Sequence, residues 1–168
     1  RLQRQSRRVT DRPKLTLERT FDASPEEVWE LWTTREGMEA WMGPDGFDVT
    51  VQELDLRPGG KLVYAMTAVG PDQVEYMTKA GMPLVSVQHV RFVEVDPPRR
   101  LVHRDVADFV PGVKAYEVET IVELNEVEGG THVVLTFDAM HDEHWTEMAR
   151  LGRESELRKL EELLAARK

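Results

Sequence analysis

The sequence predicts an α+β fold in which one antiparallel sheet lies against one long C-terminal helix. Three observations carry the prediction. Through the middle of the chain, apolar residues recur at every second position, the period of a half-buried strand. The stretch from Asp142 to Lys168 has no proline and reads at helical spacing instead. No helix of crossover length alternates with the strands, so the βαβ rhythm of a parallel sheet is missing.

The first strand comes from Leu15, Leu17 and Phe21, which alternate with Thr16, Glu18 and Thr20. A helix start follows. Ser24 is the N-cap, Pro25 sits at the first helical position and Glu27 completes a capping box. This helix runs to about Thr34 with Val28, Leu31 and Trp32 on one face. A second short helix carries Met38, Trp41 and Met42, and Gly43-Pro44 stops it. Strand periodicity begins at Phe47, with Val49 and Val51 in phase. Arg57-Pro58-Gly59-Gly60 turns the chain into a strand with Leu62, Tyr64, Met66 and Ala68 in phase. Gly70-Pro71-Asp72 opens a loop that lasts to about Pro83. Its Tyr76, Met77 and Met82 are unusual in a freely solvated loop and suit a lid.

Leu84 to Val95 is the next strand, ended by Pro97-Pro98, and Leu101 to Val106 follows it. Tyr116, Val118, Thr120, Val122 and Leu124 then oppose Glu117, Glu119 and Glu123, as in a strand with one wet face. Gly129-Gly130 makes a hairpin to Thr131–Phe137. The last helix has Trp145, Met148, Ala149 and Gly152 on its apolar stripe, continued by Leu157, Leu160 and Leu164. Arg153 and its charged neighbours fill the gaps.

Composition sets limits on function. A chain of 168 residues suits one domain, here 14–168, preceded by a basic extension over 1–13. A net charge of −9 argues against a whole-domain nucleic-acid binder. No apolar run approaches the roughly 20 residues that span a bilayer, and no signal-peptide pattern stands in a chain that begins at Arg1. The absence of cysteine excludes disulfides, thiolate catalysis and cysteine zinc sites, and fits a cytoplasmic protein.

Several segments together resemble a known family. They are Ala23-Ser24-Pro25-Glu26-Glu27-Val28-Trp29, Trp41-Met42-Gly43-Pro44, Leu56-Arg57-Pro58-Gly59-Gly60, Val95 to Val102, and Gly129-Gly130-Thr131. In this order they are similar to turns and caps of the START-like, or SRPBCC, superfamily. The match is to the branch named after the activator of the ninety-kilodalton heat-shock protein ATPase. The resemblance spans about Lys14 to Ala165. It implies a helix-grip fold: a curved seven-stranded sheet around the C-terminal helix, with two short helices between strands one and two. It also implies a cavity between sheet and helix. Three departures fall at that cavity or its rim. Gly152 is followed by Arg153 where the family often has tryptophan, the strand after Pro97-Pro98 ends His103-Arg104-Asp105, and the 72–83 loop is long.

The motifs are structural, and none carries chemistry. His141 and His144 lack the spacing of a zinc-protease pair, Gly59-Gly60 lacks the context of a phosphate loop, and no serine sits in a nucleophile elbow. No cofactor or metal is expected. His89 and His103 fall on adjacent strands, with Arg91 on the face of His89 and Asp105 on the face of His103. Such a cluster could bind a carboxylate or act as acid and base. The candidate ligand-binding set is Trp32, Trp41, Tyr64, Met66, His89, Arg91, His103, Tyr116, Phe137, Trp145, Met148 and Gly152. Plain core packing is the competing reading of its apolar members. The functional expectation is a domain that binds a hydrophobic small molecule without catalysis. Two others stand beside it: a cyclase- or hydrolase-type enzyme using the polar residues of the same cavity, and a module that regulates a chaperone or another protein partner. An exposed edge strand could support a dimer.

Overall fold

The computed structural model describes residues 12–168. Most of the basic extension expected over 1–13 lies outside the described residues. The described elements are β1 (Lys14–Phe21), α1 (Pro25–Thr33), α2 (Arg35–Trp41), β2 (Phe47–Leu54), β3 (Lys61–Ala68), α3 (Pro71–Lys79), β4 (Val85–Asp96), β5 (Arg100–Ala107), β6 (Tyr116–Val127), β7 (Gly130–Asp138) and α4 (Glu143–Ala166). The seven strands form one antiparallel sheet in the order β1-β7-β6-β5-β4-β3-β2. Each hairpin after β2 pairs sequential strands. The first strand closes onto the last, and α1 and α2 carry the chain from one edge of the sheet to the other. This is the α+β, helix-grip arrangement that the sequence predicts.

The caps behave as their residue types require. The Ser24 hydroxyl accepts from the Glu27 N–H at 3.1 Å, and the Asp142 carboxylate accepts from the Trp145 N–H at 2.8 Å. Each satisfies an N–H that the helix itself leaves free. Thr34 ends α1 and caps α2 through the Gly37 N–H. Gly37 is obligatory at this corner, because a Cβ there would lie 2.6 Å from the Leu31 backbone.

The sheet's concave face and α4 share the main core. Phe21, Val122, Val133, Leu135 and Phe92 from the strands meet Val28, Leu31 and Met38 from α1 and α2. Leu157, Leu160 and Leu164 from the second half of α4 complete it. Leu160 is fully buried. Each such leucine contributes about 1.5–3 kcal/mol by leaving water. The first half of α4 buries none of its residues completely. Its Trp145 packs instead on a smaller cluster of Ala68, Met77 and Met82, with Phe47 and Phe109 beside it.

One segment departs from the sequence reading. The stretch taken for the start of a loop at Gly70-Pro71-Asp72 is the N-terminus of α3. Proline at N1, an aspartate in the first turn and Lys79 in the last turn are helix signals. The 72–83 segment does close over the interior, as its apolar residues suggest, but as a helix that turns Met77 inward and a following turn at Gly81 that brings in Met82.

Candidate functional site

Where α4 rises off the sheet, a cavity of about 680 Å³ remains. The pairing register decides what faces it. Residues paired across a ladder share a face. On β3, Leu62, Tyr64 and Met66 point inward. Their partners on β4 are Val90, Gln88 and Ser86. Phe92 pairs with His103 and Val90 with Asp105, so both polar residues of β5 point inward too. α1 and α2 supply Trp32 and Trp41, whose rings meet edge-to-face at 4.6 Å. The Trp41 indole N–H donates to the Leu31 carbonyl at 2.7 Å, which fixes that wall. α3 supplies Met77 and Tyr76, and α4 supplies Trp145, Gly152, Arg153 and Glu156.

Of the residues expected from the sequence, Trp32, Trp41, Tyr64, Met66, His103, Trp145, Met148 and Gly152 line this space. Met148 is at the rim, where it, Leu151 and Tyr76 stay exposed. His89 and Arg91 are corrected by the register. They alternate with the inward Gln88, Val90 and Phe92, so they project from the convex face into solvent. Arg91 meets Glu117 there at 3.7 Å. The sequence misled because this strand inverts the usual polarity: Ser86 and Gln88 face in, while Val85 and Val87 are exposed.

Tyr116 and Phe137 also lie outside the lining. The Tyr116 hydroxyl is hydrogen-bonded to His141 Nδ1 at 2.7 Å and accepts the His141 N–H at 3.1 Å, which ties β6 to the entry of α4. The Arg12 guanidinium covers its ring at 4.1 Å. Phe137 is buried beneath the Arg153 guanidinium, 4.7 Å from ring centre to carbon.

One group of polar side chains meets around Tyr64, where Asp105, Glu156 and Arg153 all act on its hydroxyl. His103 Nδ1 donates to Asp105 Oδ1 at 2.5 Å. Arg153 Nη2 donates to Thr120 Oγ1 at 3.0 Å. The Gly43 N–H donates to Glu156 Oε2 at 2.8 Å, and Lys159 donates to the Gly43 carbonyl at 2.8 Å. Burial pushes the Tyr64 hydroxyl far above its ordinary pKa, and the Asp105 and Glu156 charges push it further. Burial also raises the Glu156 carboxyl, against the pull of Arg153 and the Gly43 N–H. Burial alone would raise Asp105 as well. The His103 charge and hydrogen bond, with Arg153, outweigh it and hold that carboxyl below its usual range.

Sequence reasoning noted Arg153 only as a departure from the family at the cavity and missed Glu156, because their alternation with charged neighbours looks like a solvated face. The available signal was spacing. Both follow Trp145, Ala149 and Gly152 on the helical stripe, and Arg153 stands beside the glycine that opens the cavity.

A family model described as Activator of Hsp90 ATPase homolog 1-like protein matches residues 22–165. Among curated proteins, none matches the sequence. Among solved structures, a protein of Chromobacterium violaceum superposes with a TM-score of 0.74 at 22% identity, over 90% of this chain and 96% of that one. A protein of Mycobacterium smegmatis gives 0.72 at 22% identity, over 94% of each chain. The AHSA1 protein of Silicibacter pomeroyi gives 0.69 at 21% identity, over 93% of this chain and 100% of that one. At such identities the likeness shows a shared fold.

Proposed function

The chain belongs to the family of Activator of Hsp90 ATPase homolog 1-like proteins, and from that premise and its cavity we propose that it binds an apolar small molecule between sheet and C-terminal helix. The observation that carries the reading is the cavity itself. Its 680 Å³ falls within the roughly 300–1,000 Å³ of small-molecule sites. Its walls are largely apolar and rich in indole, thioether and phenyl groups, with polar side chains set among them, the composition such sites share. Methionines at 42, 66, 77, 82, 140 and 148 line it, and flexible thioethers adapt to ligands of more than one shape.

The test is titration with N-phenyl-1-naphthylamine, a neutral apolar dye that fluoresces on leaving water. We expect saturable enhancement at one dye per chain, abolished by Gly152→Trp, which places an indole in the space. Enhancement that never saturates, or that the tryptophan leaves unchanged, overturns the reading. Native mass spectrometry of the purified protein would then identify any molecule already held.

A second reading, acid–base catalysis on the bound molecule, is favoured by one observation. His103 is held by a carboxylate through Nδ1, which leaves Nε2 as the free ring nitrogen at the cavity. Turnover of a ligand once found, and its loss in His103→Asn without loss of binding, would establish it. The family's name suggests a third kind of role, regulation of a chaperone ATPase. An unchanged Hsp90 ATPase rate in the protein's presence would remove it.

A further inference from the structure

The polar cluster around Tyr64 has an unequal supply of donors and acceptors. Asp105 spends Oδ1 on His103, and Glu156 spends Oε2 on Gly43. Gln88 gives its amide N–H to Ser86 at 3.1 Å. Each of these three side chains keeps an acceptor oxygen without a protein partner among the described residues: Asp105 Oδ2, Glu156 Oε1 and Gln88 Oε1. On the donor side, Arg153 is spent partly on Thr120 and stacks on Phe137. The Tyr64 hydroxyl has no protein partner among the described residues, and it both donates and accepts.

The charges balance in kind. Two carboxylates, Asp105 and Glu156, face the Arg153 guanidinium, and the Lys159 ammonium lies near enough to act on Glu156. A ligand carboxylate would enter beside Asp105 and Glu156 and pay both desolvation and like-charge repulsion. A ligand ammonium would meet the Arg153 guanidinium in the same way. A neutral group that donates a hydrogen bond meets neither cost. It also satisfies acceptors that would otherwise stay unpaired once the apolar body has displaced water.

We propose that the cavity takes a neutral hydrophobic molecule bearing a hydroxyl, bound with the hydroxyl donating to the carboxylate side of the Tyr64–Asp105–Glu156 cluster. The proposal rests on the apolar-ligand reading and adds the head group. Asp105 and Glu156 become the residues that select against anions, and Tyr64 donates to the hydroxyl's oxygen. The apolar rim of Tyr76, Met148 and Leu151 faces the opposite end of the ligand.

Four probes of one shape test it at neutral pH: 2-naphthol, 2-naphthoate, 2-naphthylmethylammonium and 2-methylnaphthalene, each titrated by quenching of the cavity tryptophans. Naphthol is expected to bind tightest, by roughly tenfold over either ion, a difference easily resolved in titration. Asp105→Asn and Glu156→Gln, which each remove one negative charge, are expected to shrink the preference over naphthoate several-fold. Neither variant is needed for the ranking itself, which the native protein reports. Naphthoate or the ammonium binding as tightly as naphthol overturns the head-group proposal. So does 2-methylnaphthalene binding equally well, while that result leaves the apolar-ligand reading standing. Failure of all four to bind overturns both.

Discussion

Two carboxylates in one cavity titrate in opposite senses, and that difference is measurable in stability. The folded chain holds Asp105 below its ordinary pKa, through His103 and Arg153. Its contribution is therefore present above the unfolded value and lost as pH falls through the folded one. Glu156 is held above its ordinary pKa by burial. Its neutral form costs nothing, so the protein loses stability as pH rises from the unfolded value to the folded one. At neutral pH the two substitutions should separate. Asp105→Asn leaves His103 without its acceptor charge and should destabilise by about 1–3 kcal/mol. Glu156→Gln should be neutral or stabilising. Both differences should fade in acid, where the native carboxyls are protonated. Urea unfolding at a series of pH values checks this, and a parallel loss in both variants at neutral pH would contradict it. The Asp105–His103 pair was legible in the sequence, because two residues apart on a strand means one face. Glu156 was not, because nothing in a helix's charged positions says which turn lifts off the sheet.

At the scale of the element, α4 divides at Gly152. Beyond it, Leu157, Leu160 and Leu164 are core. Leu160→Ala should cost about 2–5 kcal/mol, the usual penalty for a fully buried leucine. Before it, Met148 sits at the rim, and Met148→Ala should stay within about 0.5 kcal/mol. Gly152 itself is not forced by crowding. A Cβ there would meet Pro44 at 3.8 Å, an ordinary contact. Gly152→Ala should therefore gain up to about 1 kcal/mol of helix propensity, whereas the tryptophan variant blocks the cavity. Thermal melts of the three variants separate these expectations, and a destabilised Gly152→Ala would show the space is needed for the fold. The apolar stripe that marks this helix was plain from spacing alone. α3 was hidden because Gly70-Pro71 reads equally as a turn or as a cap followed by N1, and only the packing of Met77 and Met82 chose between them. α3 is also pinned at its start. The Gln73 side chain lies over Gly46 and Gly70, where an added Cβ would approach it to 2.2 Å. Gly46 further needs a positive φ of 84°. Gly46→Ala should loosen α3, seen as faster amide exchange over Pro71–Lys79 with the β6–β7 hairpin unchanged.

For the whole molecule, sheet order and cavity position share one cause. Pairing β1 with β7 puts the two ends of the chain's fold side by side, and α1 and α2 must then cross the concave face to reach β2. Those helices and the second half of α4 fill one part of that face. The part under β3, β4 and β5 is left to α3 and the start of α4, which touch it through small clusters rather than a continuous core. The strand count was legible from alternation and from the family resemblance, whereas the closing of β1 onto β7 was not read from the sequence. The cavity was legible only through that resemblance, because the aromatic and methionine residues of a pocket and of a core obey the same periodicity. The consequence is a molecule with two stabilities. Opening α3 and the first turns of α4 exposes little core, whereas separating Leu157, Leu160 and Leu164 from the sheet unfolds the chain. A ligand that fills the cavity should therefore act unevenly. At a concentration one hundredfold above its dissociation constant it adds about 2.7 kcal/mol to global stability. Local protection should rise most over α3 and residues 143–152. Hydrogen exchange followed by mass spectrometry, with and without 2-naphthol, reads both effects. Protection confined to the convex face, or spread evenly over every strand, would place the bound molecule elsewhere. Protection gathered under α3 and the first half of α4 would mean that the lid and the site form a single cooperative unit, closed by what it holds.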